Sequence, residues 1–104
     1  MKNLVNASSA TRTATGTTNV VTSGTNTLGI IIHHAHVMFQ GTNTQCKILI
    51  GGVPVIGGVS SASNVPFAAE TSQTMLFPAG VALDITIANG GSNAHATVWY
   101  EVLT

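Results

Sequence analysis

Val81-Ala82-Leu83-Asp84-Ile85-Thr86-Ile87-Ala88 is the stretch that decides the fold class. Val81, Leu83, Ile85 and Ile87 alternate with Ala82, Asp84, Thr86 and Ala88. A period of two belongs to a strand with one face in a core and the other in water. Asn89-Gly90-Gly91-Ser92-Asn93 follows and reads as a hairpin turn. Beyond it a last strand spans Ala94 to Leu103. Ala96, Val98, Tyr100 and Val102 share one face; His95, Thr97, Trp99, Glu101 and Leu103 share the other.

Upstream, the same grammar repeats. Leu28 to Phe39 is a long run rich in Ile and Val, and Thr44 to Ile50 follows the turn Gly41-Thr42-Asn43. Gly51-Gly52 and Gly57-Gly58 bracket Val53-Pro54-Val55-Ile56, which suggests tight turns or bulges on both sides. Pro54 lacks an N–H for a ladder and assigns this piece to a sheet edge. Ser60 to Asn64 reads as a polar loop, and Val65-Pro66-Phe67-Ala68-Ala69 as extended chain. Gln73 to Phe77 reads as a short strand closed by Pro78-Ala79-Gly80. No window carries apolar residues at helical spacing over three turns. About seven or eight short strands at this spacing predict an all-β chain: a single small antiparallel β-sandwich, jelly-roll-like, over residues 28–104. An antibody-type sandwich needs two cysteines, and the chain has only Cys46, expected as a buried, inert thiol.

Residues 1–27 differ in composition. Ser, Thr, Asn and Gly dominate, carboxylates are missing, and the cations are Lys2 and Arg12. With Leu4, Val5, Val20 and Val21 as the only sizeable apolar anchors, the segment is too polar to repay its own ordering. It is expected as an extended N-terminal arm. Two placements are open: a first strand on its own domain, or a strap on a neighbouring subunit.

Charge limits the function. Of 104 residues, three are Lys or Arg and three are Asp or Glu, so charged residues make 6% against roughly 25% in an ordinary soluble protein. A phosphate-neutralising face for nucleic acid needs several cations, so no nucleic-acid partner is expected. A charged multi-residue active site is nearly excluded. No apolar run is long enough to span a bilayer and no secretory core follows Met1, so no membrane partner is expected and synthesis is placed in a cytoplasm. A net charge of zero removes the repulsion that keeps small proteins apart. A small core gains from oligomerisation, so a homo-oligomer, foremost a homotrimer, is expected.

Four histidines stand out: His33, His34, His36 and His95. On a regular strand His34 and His36 share a face and both reach one metal ion, so they form a metal-site alternative. The opposing reading, which we weigh above it, is a polar patch at a strand or subunit contact; no metal or other cofactor is expected. A hydrolytic triad has only Glu70, Asp84 or Glu101 for its acid, and no Gly-x-Ser-x-Gly elbow or phosphate loop is present. No enzyme activity is expected. Trp99 and Tyr100 face opposite sides of one strand. Tyr100 is expected inside, and Trp99 outside, as a subunit contact in preference to a sugar platform.

The Thr/Ser-rich start with Asn6-Ala7-Ser8-Ser9-Ala10-Thr11, the β-rich middle, the run Leu76-Phe77-Pro78-Ala79-Gly80-Val81-Ala82-Leu83-Asp84-Ile85-Thr86-Ile87-Ala88-Asn89 and the closing strand from Ala94 to Leu103 together resemble small virion proteins of tailed bacteriophages. The resemblance covers most of the chain and lies in its style, with no diagnostic motif. It implies a structural role in the particle and carries over no catalytic residue. Within that group a capsid decoration (cement) protein fits best: a subunit on the outer surface of the head that binds the major capsid protein and itself and stabilises the lattice. Leu4, Val5, Arg12 and Trp99 are the expected partner contacts. The alternative is a tail, fibre or receptor-binding tip protein that recognises a host-surface glycan.

Overall fold

The computed structural model describes residues 8–41, 43–60, 67–88 and 94–104. Among them the chain forms nine strands and no helix: β1 (Ser8–Arg12), β2 (Gly16–Val21), β3 (Ile30–Phe39), β4 (Thr44–Ile50), β5 (Val53–Ser60), β6 (Phe67–Thr71), β7 (Met75–Phe77), β8 (Leu83–Ala88) and β9 (Ala94–Val102). The first sheet has the order β1-β9-β3-β6, with β7 also paired to β3; the second has the order β2-β8-β4-β5. Every pairing is antiparallel.

The pairing follows from one long folded ribbon. β1 pairs β9, β2 pairs β8, β3 pairs β6 and β7, and β4 pairs β5, so the two halves of the chain run side by side from its ends to the β4–β5 hairpin. The ribbon rolls up, and the β3–β9 and β4–β8 ladders close the two sheets. With β6 and β7 counted as one interrupted edge, this is a jelly roll, the sandwich that the strand spacing predicts.

The core comes from the four inner strands. Ile30, Ile32, Ala35, Val37 and Phe39 of β3 and Ala94, Ala96 and Val98 of β9 face Cys46, Ile48 and Ile50 of β4 and Leu83, Ile85 and Ile87 of β8. Each fully buried Val, Leu, Ile or Phe stabilises the fold by about 1.5–3 kcal/mol relative to exposure. The alternation read at residues 83–87 holds: Leu83, Ile85 and Ile87 are buried. Asp84 points outward and accepts a 2.6 Å hydrogen bond from Asn19 Nδ2. Val81 precedes the strand and is half-buried.

Edges and turns mostly follow the local chemistry. Gly51 and Gly52 have φ of 59° and 82°, two consecutive left-handed residues that close the β4–β5 hairpin with the twist of its strands. β5, with Pro54, is an edge strand. Gly57-Gly58 is different: it lies inside β5 and makes no turn. Gly57 sits at φ 107°, and a Cβ there would collide with the Cys46 carbonyl oxygen of the neighbouring strand. The glycine allows close strand approach.

Residues 1–27 do not separate from the sandwich in their described part. β1 is the edge of the first sheet against β9, and β2 is the edge of the second against β8. Within this chain β1 and β2 are strands of its own sheets. The reason is that a polar, Thr-rich edge strand needs few apolar anchors, because the adjacent strand satisfies its backbone. Among the described residues of this segment Val21 is buried in the core, with Ala10 and Val20 packed against it. Cross-strand Thr pairs finish the edges: Thr11 with Thr97 at 3.1 Å and Thr17 with Thr86 at 3.0 Å. Leu4 and Val5 lie outside the described residues, as do 61–64 of the loop expected from Ser60 to Asn64 and the turn expected at 89–93; Ser60 itself ends β5.

Candidate functional site

The outer face of the first sheet is shaped by one irregularity in β3. Ile30 and Ile32 point into the core, and strict alternation would send His34 and His36 after them. Instead the β3–β9 register shifts between Ile32 and His34. A bulge inserts one extra residue and reverses the phase of everything downstream. Ala35, Val37 and Phe39 are therefore the buried set, and His34, His36 and Met38 face outward.

Register then assembles the neighbours. His34 lies opposite Trp99 of β9. His36 lies between Thr97 of β9 and Glu70 of β6. Directly opposed side chains on adjacent strands are about 5 Å apart at Cβ. The result is two rungs, Trp99–His34 and Thr97–His36–Glu70, on one face. His33, His34, His36, Glu70, Ser72, Thr97 and Trp99 line an open groove of about 770 Å³. The His95 ring meets the His36 ring edge-on at 5.9 Å between centroids, which fixes the far end of the imidazole row.

His33 belongs to the wall of the groove. Its Nε2 lies 3.3 Å from Glu101 Oε1, and its side chain is only 10% exposed. The carboxylate only accepts, so Nε2–H donates to it, and Nδ1 is the other ring nitrogen. That atom is buried without a hydrogen-bond partner. Glu70, the other carboxylate of this face, is exposed and forms no ion pair among the described residues.

The residues singled out from sequence fall unequally. Trp99 is outward and 41% exposed, and Tyr100 packs against the core, as expected of neighbours on one strand. His34 and His36 share a face and both line the groove. Among the described residues no group of three or more His, Cys, Asp or Glu side chains is placed to hold a metal ion. Arg12 lies on β1 at the sheet edge, exposed, with Nη1 donating to the Thr11 carbonyl at 3.0 Å. Glu70 and Ser72 were not singled out as members of a site with Trp99. No sequence signal links them, because β6 joins this face only through its pairing with β3.

Cys46 is fully buried, and its Sγ donates to the His95 carbonyl oxygen at 3.6 Å. Burial pushes the thiol up to about 11, against a small lowering from that hydrogen bond. It is a packing residue on the inner side of the sandwich. No helix among the described residues is long and apolar enough to cross a membrane.

Comparison of the chain with protein-family models, with curated proteins and with solved structures finds no match. The jelly roll itself hosts many unrelated activities, so the functional argument rests on the surface alone.

Proposed function

We propose that this chain is a structural protein of a tailed-bacteriophage particle, of the capsid decoration type, and works through contacts without chemical turnover. The observation that carries the reading is the character of the exposed surface. Leu28 (62% exposed), Leu76 (69%), Met38 (48%) and Trp99 (41%) stand out of a chain in which only 6% of residues are charged. Large exposed apolar side chains on a nearly uncharged surface suit burial against a partner. Met38 and Trp99 lie on the outer face of the first sheet. Leu76 packs beside Gly29, next to Leu28 at the start of β3.

In this role the partners are the major capsid protein and further copies of the chain, foremost as a trimer on the head surface. Contacts that exist only in the assembled lattice stabilise it by mass action, and about 1–3 kcal/mol per copy suffices when many copies act together. With so few charges, the contacts are apolar and hydrogen-bonded, and salt screens them little. The test compares particles with and without the protein, heated at low and at high ionic strength. A stabilisation that persists in high salt is expected. Equal stability in both particles removes the decoration role.

The second reading is a tail or fibre tip that recognises a host-surface glycan. It is favoured by the groove, where an exposed Trp sits beside a carboxylate, hydroxyls and imidazoles.

A further inference from the structure

We infer that the groove on the outer face of the first sheet is a binding site for a neutral saccharide, with a pyranose ring stacked on Trp99. The inference rests on the second reading and gives it a ligand class and residue roles.

Three observations converge. Trp99 is 41% exposed and lines the same groove as hydrogen-bonding side chains of four types. A sugar has an apolar face of C–H groups and a rim of hydroxyls, so it is matched by an aromatic plate edged with polar atoms. The rim here consists of the Glu70 carboxylate, an acceptor only; the Ser72 and Thr97 hydroxyls; and the imidazoles of His34 and His36, which both donate and accept when neutral. Vicinal sugar hydroxyls need both donors and acceptors, and this rim supplies both.

The groove's charge selects the ligand. Among the described residues Glu70 is the only charged group of fixed sign in the lining, and it forms no ion pair there. An acidic saccharide is repelled there, and a neutral one donates hydroxyls to Glu70. The β3 bulge belongs to the same device, since without its phase reversal His34 and His36 would sit in the core.

Trp99 is the only tryptophan of the chain, so its fluorescence reports on the groove directly. The full chain is titrated with glucose, galactose, mannose, N-acetylglucosamine, maltotriose, cellotriose and chitotriose, with glucuronic acid as the acidic comparison. At least one neutral sugar is expected to shift the emission saturably, with glucuronic acid at least tenfold weaker. Glu70→Gln should weaken binding about tenfold at an unchanged thermal midpoint, because Glu70 is an exposed edge residue. Thr17→Ala, on the opposite sheet, should bind as the parent does. No saturable change with any neutral sugar at its solubility limit overturns the inference, and so does unchanged binding by Glu70→Gln. An emission shift that follows protein concentration alone, in step with sedimentation, assigns the face to a second copy and also overturns it. Sugar binding by a chain that does not attach to particles removes the particle role and leaves the saccharide site standing.

Discussion

Asn26 shows how much one side chain controls in this protein. It is 2% exposed, and its three side-chain hydrogen bonds all go to the backbone. Nδ2 donates to the Pro78 carbonyl at 2.9 Å and to the Val81 carbonyl at 3.0 Å, and Oδ1 accepts from the Gly29 N–H at 2.8 Å. Its own carbonyl accepts from the Gly80 N–H at 2.9 Å. Two segments distant in sequence are tied through one amide. Asn26→Ala strands the buried Gly29 N–H and leaves two part-buried carbonyls without their donor, so a loss of about 2–4 kcal/mol is expected in chemical denaturation. Asn26→Asp keeps the Gly29 contact but sets a carboxylate oxygen against two carbonyls; it should be as unstable at neutral pH and recover in part in acid. Cys46 gives the pH prediction. Its thiol is raised to about 11 in the fold from 9.0, so the unfolded chain ionises first. The stabilising contribution is complete below pH 9 and falls as the pH rises towards 11, by up to about 1.4 kcal/mol per unit. Denaturant midpoints between pH 8 and 11 check this, with Cys46→Ala as the reference that lacks the slope. A thiol reagent at pH 8 should label Cys46 only after unfolding.

At the scale of the element, β3 carries the decisive irregularity. Ile30 and Ile32 before the bulge and Ala35, Val37 and Phe39 after it are buried on opposite phases of the count. Deleting His33 removes the extra residue and leaves one unbroken alternation from Ile30 to Phe39. The variant is therefore expected to fold, with the core side chains in place, at the cost of the Glu101 contact and a changed Trp99 emission. Deletion of Thr86 from β8 has no such compensation. It turns Ile87 outward from a strand whose alternation is regular, and burial of Ile87 is lost. Far-ultraviolet circular dichroism melts of the two deletions separate the cases: a cooperative transition for the first and none for the second. If both unfold alike, the bulge is not what sets the phase of β3.

At the scale of the whole molecule, the rolled ribbon makes the chain's start structural. β1 and β2 pair with β9 and β8, so the first and last described strands hold each other. Removal of residues 1–7 should leave the sandwich folded, since no described strand is cut. Removal of residues 1–27 takes an edge from each sheet, the buried Val21 and the Asn26 clamp. That variant is expected to lose its cooperative unfolding transition. A truncated chain that still melts cooperatively near the parent's midpoint would show that residues 28–104 are the autonomous unit the composition suggests. Limited proteolysis gives the same information independently: cleavage should spare the bonds within 8–12 and 16–21.

Some of this was legible before any fold. Residues 83–87 and 94–100 alternate so regularly that strand, inner face and outward Trp99 follow from a period of two, because successive side chains of a strand leave on opposite sides. Pro54 at an edge and Gly51-Gly52 in a hairpin follow from the backbone chemistry of those residues. The spacing of the strands then implied a sandwich. The run Ile30-Ile31-Ile32-His33-His34 does not display its bulge, since three consecutive isoleucines satisfy either phase. Residues 8–21 do not display that they are edge strands, because an edge is made by the neighbour's hydrogen bonds and needs few apolar residues of its own. Asn26 looks like any other polar residue of a Thr-rich turn until Pro78 and Val81 are brought to it. The groove is the fullest case. His34 and Trp99, or His36 and Glu70, are far apart along the chain, and only the β3–β9 and β3–β6 registers make them neighbours. Local periodicity therefore determined which face each residue occupies along regular strands. Pairing between distant strands, a property of the closed sheet as a whole, decided which residues share a site.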